Sequence, residues 1–331
     1  MQSVSPPTKL FDSSFGAFQV SVPSGASLFS LYRQGSATKP PLVLLHGYPQ
    51  CHTIWHDVVH SLPTDLTLII PDLPGYSRST KKPSEDGTHT AHSKRAVASD
   101  IIALVDALFP GTKTKFILVG HDRGPRVSYR LSLDHSDRLK GVCIMGIAPL
   151  TEQFGRMRLE VNKHEETLRM YHWIFLALPP PLPETLIGHD PEQYIRFTID
   201  SWTGSNTKGK IPPDIMRTWT DPYSQSPDVI KGSLEDYRAG ATLDLDHEAE
   251  DRECGRKVTV PFLNLYSEHL TTRFNAEDVW NSKFDPSGTA KIRHVKIGDE
   301  GIGHFLPTEA AEETARALVD WLRDDIGIEV L

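Results

Sequence analysis

Short apolar runs recur along the first 150 positions and alternate with one-sided helical patterns. Positions 17–22 and 27–32 flank Pro23, Ser24 and Gly25, which predicts two antiparallel strands around a turn. The runs at 41–45, 66–70 and 115–119 are nearly continuous in apolar residues, as strands buried on both faces are, and 139–147 reads as a further strand. Between them, Val97, Ile101, Leu104, Val105 and Leu108 share one face of a helix that Pro110 and Gly111 end. This rhythm predicts an α/β fold, a largely parallel sheet with helices on both faces. From about 151 to 240 the alternation stops while Met, Trp, Tyr and Pro accumulate, including Pro179, Pro180, Pro181 and Pro183, which predicts an inserted helical cap. It resumes with a strand at 258–266, a short helix at 275–281, a strand at 291–297 and a final helix at 307–324. The expected division is a first core part at 1–150, beginning with a loose tail to about 14, a cap at 151–240 and a second core part at 241–331.

Candidate chemistry sits where strands end. Gly120-His121-Asp122-Arg123-Gly124 lies between the run at 115–119 and a helical segment, so it reads as strand, tight turn and helix, with Asp122 on the corner. The middle residue of such a turn is a nucleophile position. A carboxylate there attacks saturated carbon to give an alkyl ester but is poorly suited to cleaving esters or amides, so carbon–halogen or epoxide substrates fit better than acyl ones. His46-Gly47-Tyr48-Pro49 follows the strand at 41–45, and the backbone N–H of Tyr48, with that of Arg123, is placed to form an oxyanion hole. His304, in the loop before the final helix, follows in the order nucleophile then base and is the candidate general base. Arg123 and Arg126 are three apart at the start of the elbow helix, a spacing that suits a bidentate grip on a substrate carboxylate.

Composition narrows the partners. Against 43 acidic residues stand 35 Lys and Arg, a net charge of −8, so no basic footprint points to nucleic acid or an anionic membrane. The N-terminus lacks a basic start followed by an apolar stretch, and no run is long enough to span a bilayer, so a cytoplasmic protein is expected. Cys51, Cys143 and Cys254 are odd in number and outside any metal-type spacing, as thiols of a reduced compartment are.

His46-Gly47-Tyr48-Pro49-Gln50 with Trp55, Asp72 to Tyr76, Gly120 to Arg126, Ile147-Ala148-Pro149, Tyr171-His172-Trp173, Glu235 to Ala241 and Gly303-His304-Phe305 together resemble the fluoroacetate dehalogenases, an α/β-hydrolase family. The resemblance covers almost the full length. It implies an α/β-hydrolase fold with a mostly parallel eight-stranded sheet, and a two-step reaction: Asp122 displaces halide from a 2-halocarboxylate, and water activated by His304 hydrolyses the ester. It further implies that Arg123 and Arg126 hold the substrate carboxylate, that His172, Trp173 and Tyr237 surround the departing halide, that no metal or organic cofactor takes part, and that the protein is a homodimer. The sequence departs from the pattern at the triad acid, where Gly146 replaces the family Asp. Glu268 is the candidate relocated acid, although Leu270 stands where many relatives carry theirs. Two alternatives stay open: an epoxide hydrolase using Tyr171 or Tyr237 as proton donor, and a hydrolase-shaped small-molecule protein with weak turnover. Phe154, Trp202 and Trp219 are cap positions that either line the site or pack.

Overall fold

The computed structural model describes residues 1–4, 10–157, 159, 164–285, 288 and 290–329. Its centre is a nine-stranded sheet: β1 (Gln2–Val4), β2 (Phe15–Ser21), β3 (Ser27–Arg33), β4 (Leu42–Leu45), β5 (Leu68–Pro71), β6 (Phe116–His121), β7 (Leu139–Met145), β8 (Phe262–Tyr266) and β9 (Ile292–Lys296), in the spatial order β1-β2-β3-β5-β4-β6-β7-β8-β9. From β5 to β9 the pairing is parallel, and β1, β2 and β3 form an antiparallel edge that joins β5. The expected eight strands become nine because the presumed loose tail contributes β1, where Gln2 to Val4 pair with Gln19 to Ala17. Three residues of mixed polarity carry too little periodicity to be read as a strand; the exposed edge of β2 supplies the order.

The period-two logic of the strands shows directly in the core. Val43 and Leu45 of β4, with Phe116 and Leu118 of β6, pack on one face, whereas Leu42, Leu44, Ile117 and Val119 pack on the other. Helices Lys94–Leu108 and Arg123–Asp134 cover the first face, and Trp321, Leu318 and Leu322 of helix Ala311–Asp324 cover the second. Ser93 caps helix Lys94–Leu108 by accepting a hydrogen bond from Ala96 N at 3.3 Å.

Between β7 and β8 the described residues form eight helices, the first Leu150–Gly155 and the last Leu243–Glu253. The prolines that broke the strand pattern largely start helices, since Pro183, Pro191, Pro213 and Pro227 all sit in first turns, where a missing N–H costs nothing. The helical insertion thus runs past 240, through the charge-rich helix Leu243–Glu253, whose weak apolar periodicity gives no sequence signal. β8 begins at Phe262 rather than 258; Val258 instead bridges Phe284. The final helix is broken at Ala310 into Leu306–Glu309 and Ala311–Asp324. Among the described residues, no helix is long and apolar enough to cross a membrane.

A buried ion network ties insertion to core. Asp236 accepts from Arg123 Nε at 2.6 Å and from Tyr76 Oη at 2.8 Å, and it pairs with Lys94, whose Nζ also lies 3.2 Å from Asp244.

Candidate active site

The strand order reverses at β4, so the crevice beyond the carboxyl ends of β4 and β6 is where a parallel sheet of this kind binds ligands. Asp122 follows β6 at that crevice with φ 55° and ψ −97°, a strained conformation outside any helix or strand. The local sequence permits it through close approach: a Cβ on Gly124 would sit 2.3 Å from Leu45 O, and one on Gly47 would sit 2.3 Å from Asp122 Cβ. Glycine at 47 therefore lets the loop after β4 lie against the turn after β6.

That approach divides the two oxygens of Asp122. Tyr48 N donates to Oδ1 at 2.8 Å, and Oδ2 lies 3.4 Å from His304 Nε2. Burial on its own would push the Asp122 carboxyl up, but the hydrogen bond and charge of His304 and the charge of Arg123 outweigh it and hold it well below the usual carboxylate range. The base loop is itself clamped. Glu309 accepts from Gly303 N at 2.9 Å, Phe305 N at 2.8 Å, Gly204 N at 2.8 Å and Thr207 Oγ1 at 2.7 Å. Trp202 O receives His304 N at 2.9 Å, and His121 Nε2 donates to His304 O at the same distance. The role of Glu309 left no sequence signal, because a carboxylate five residues past a candidate base looks like any helix-end acid.

The two arginines are placed differently. Arg126 lies on the wall of a 380 Å³ cavity with Asp122 and His304. It is buried, its Nη1 donates to Ala148 O at 3.2 Å, its Nε has no partner among the described residues, and its guanidinium lies 4.7 Å from the Trp173 ring centre. Burial, and then the charge of Arg123, pushes its pKa down to about 10. Arg123 does not line the cavity: it is fully buried, its Nε and Nη2 are bonded to Asp236, and its Nη1 is buried without a partner among the described residues, 4.3 Å separating the guanidinium from the Tyr237 ring. His172 and Trp173 lie on the cavity wall, whereas Tyr237 packs behind them with its ring 5.5 Å from Trp173. Burial pushes His172 down to about 3, so it is neutral near pH 7. Trp202 lines the cavity, 5.7 Å from the His304 ring; Phe154 packs on Trp173, and Trp219 donates to Thr53 at 2.9 Å.

A profile of the alpha/beta hydrolase fold matches residues 40–269. The chain belongs to this family. Fluoroacetate dehalogenase from Burkholderia sp is 32% identical over 290 residues, 86% of this chain and 88% of that one. Soluble epoxide hydrolase from Corynebacterium sp. (strain C12) is 26% identical over 271 residues, 81% and 85% of the two chains. The crystal structure of ALR0039 from Nostoc sp PCC 7120 superposes with a TM-score of 0.82 at 33% identity, covering 94% of this chain and 99% of that one.

This α/β hydrolase departs from a complete triad at the acid. Among the described residues, no carboxylate other than Asp122 lies within 4.0 Å of a His304 nitrogen. Glu268 opens the short helix Glu268–Thr271 and makes no ion pair with His304; its neighbour His269 is the residue on the cavity wall, its ring 6.1 Å from that of His304. Burial pushes His269 down to about 3 as well. Gln153 and Arg273 join the same wall, with Arg273 Nη2 donating to Gln153 Oε1 at 3.1 Å. Sequence reading missed both, and His269, although the end of a parallel strand is where such residues are to be sought. Potential metal ligands also gather elsewhere: Cys51, His52 and Asp72 bring donor atoms within 4.8 Å of one another. There, Asp72 Oδ1 already accepts from His52 N at 2.9 Å and His52 Nδ1 at 2.8 Å, so the group is a closed hydrogen-bonded pair beside a buried thiol.

Proposed function

We propose that this α/β hydrolase cleaves the carbon–halogen bond of small 2-halocarboxylates through an ester of Asp122. The reading rests above all on one arrangement: Asp122 with Oδ1 committed to Tyr48 N–H and Oδ2 facing the cavity 3.4 Å from His304 Nε2, and on the same wall a buried Arg126 that forms no ion pair among the described residues. In the first step Oδ2 bonds the halogen-bearing carbon and halide departs. Arg126 would hold the carboxylate so that the carbon stands in line, with Arg123, buried behind the wall and bonded to Asp236, adding only its positive charge. His172 and Trp173, with Tyr237 behind, would receive the halide. In the second step water attacks Asp122 Cγ and gives a proton to His304 Nε2; charge develops on Oδ1, where the Tyr48 N–H already points. The Cγ–Oδ2 bond then breaks and the 2-hydroxy acid leaves with the His304 proton. The similarity to fluoroacetate dehalogenase supports this reading.

The second reading, epoxide opening, has its own support in Tyr171, a tyrosine on the cavity wall, and in the similarity to the epoxide hydrolase. Arg126 argues against it, since a neutral epoxide gives a buried cation nothing to pair with. A His304→Asn variant incubated with chloroacetate and, separately, with an aryl epoxide separates the two. Mass spectrometry is expected to find the ester on Asp122 with the halo acid; an adduct with the epoxide alone would favour the second reading, and none with either would dismiss both.

A further inference from the structure

The glycine that replaces the family's acid leaves its mark on the cavity wall. Gly146 follows β7 with φ 72°, a left-handed conformation that glycine adopts freely. A Cβ there would sit 3.7 Å from His304 Nδ1 and 3.5 Å from His304 O, ordinary contacts without a clash. Gly146 and His304 both line the cavity that holds Asp122 and Arg126, and His304 Nδ1 is among the atoms nearest to where a side chain at 146 would begin. The other near neighbours of that ring cannot take the acid's place. His121, 4.8 Å away centre to centre, spends its Nε2 on His304 O and is pushed down to about 3 by burial, and His269 at 6.1 Å is likewise neutral. On the same stretch of wall, Arg126 bonded to Ala148 O contributes a positive charge. The chamber, at 380 Å³, holds about a dozen water volumes, whereas a two-carbon halo acid has only a handful of heavy atoms.

We infer that the notch between Gly146 and His304 Nδ1 is a carboxylate subsite, and that a carboxylate entering from the cavity completes the triad for the second step. This deepens the reading of Asp122 as an ester-forming nucleophile and rests on it. The bound carboxylate accepts the Nδ1–H bond, fixes the tautomer in which Nε2 is basic, and stabilises the imidazolium formed when water loses its proton to Nε2. It forms no covalent bond, and every atom of the hydrolysis still comes from ester and water. The carboxylate has two possible sources, a free small acid or a second carboxylate of the substrate itself, and the latter would make 2-halodicarboxylates the preferred class.

Wild-type protein is mixed with 2-chloropropionate or 2-chlorosuccinate, quenched over time and followed by mass spectrometry of the Asp122 peptide, with sodium formate or sodium chloride at equal ionic strength. With the propionate, formate is expected to speed ester loss by about ten-fold or more, part of the roughly 10⁴ that a triad acid is worth. The succinate ester is expected to decay fast without formate; if it decays as slowly as the propionate ester while formate still accelerates both, the free acid is the source. Gly146→Asp is expected to abolish the formate response, and the wild-type comparison decides the matter even if that variant does not fold. Ester loss that ignores formate and is equal for both substrates overturns the subsite while leaving Asp122 chemistry intact. No ester at all overturns the underlying reading and this inference with it.

Discussion

Replacing Arg126 with methionine should weaken catalysis and strengthen the fold at once. The guanidinium is buried and, among the described residues, makes one hydrogen bond, to Ala148 O, plus a face contact with Trp173. Its displacement from 12.5 to about 10 corresponds to roughly 3 kcal/mol disfavouring the charged form. Methionine removes that cost but gives up about 1 kcal/mol for the hydrogen bond and about 1 kcal/mol for the ring contact. The net is a gain of about 1 kcal/mol, or about 2 °C in Tm for a chain of 331 residues. Breaking the pair between this cation and a substrate carboxylate, by contrast, costs about 3–5 kcal/mol, which is about 10² to 10³ or more in kcat/KM. Chloroacetamide, which has no charge to pair, should lose less than about ten-fold. Chloride release from chloroacetate and chloroacetamide gives the activity ratio, and thermal unfolding gives the stability. Equal losses on both substrates together with a lowered Tm would show that Arg126 serves the fold, and the reasoning would fail.

Three further outcomes follow from the same geometry. Asp236→Asn leaves Arg123 without its carboxylate and Lys94 with only Asp244, so urea unfolding should show a loss of about 3–5 kcal/mol; a change under about 1 kcal/mol would mean that the network is idle. Glu309→Ala removes the acceptor of three backbone N–H groups and one hydroxyl around His304, so kcat should fall at least about ten-fold with KM nearly unchanged, and a wild-type kcat would refute the clamp. His121, His172 and His269 are each pushed by burial to about 3, below an unfolded value near 6.5. Their contribution to stability is complete above pH 6.5 and is lost as pH falls, by up to about 1.4 kcal/mol per pH unit for each, so urea midpoints flat between pH 7 and pH 5 would contradict their burial as neutral groups.

The strands and the elbow were legible in the sequence because each obeys a local rule. Continuous apolar runs such as Leu42–Leu45 need no partner to be recognised, and Asp122 between two close-packed glycines announces its turn. The rest depends on tertiary contacts. β1 exists only because β2 offers an edge, and helix Leu243–Glu253, beyond the expected end of the cap, escaped notice because seven of its eleven residues are charged. At the site, sequence spacing placed Arg123 and Arg126 side by side but could not reveal that a residue 113 positions later, Asp236, occupies most of Arg123. Likewise, Glu268 and His269 are adjacent in the chain, and only the fold decides which one faces His304.

The central claim is that an oxygen of Asp122 becomes the product hydroxyl. A single turnover of chloroacetate, run with enzyme in excess in ¹⁸O-enriched water, tests it directly. The account predicts unlabelled glycolate in the first turnover and one ¹⁸O in the Asp122 carboxylate, read from its peptide mass. Labelled glycolate with an unlabelled Asp122 would mean that water attacks the substrate carbon itself, and would contradict the account.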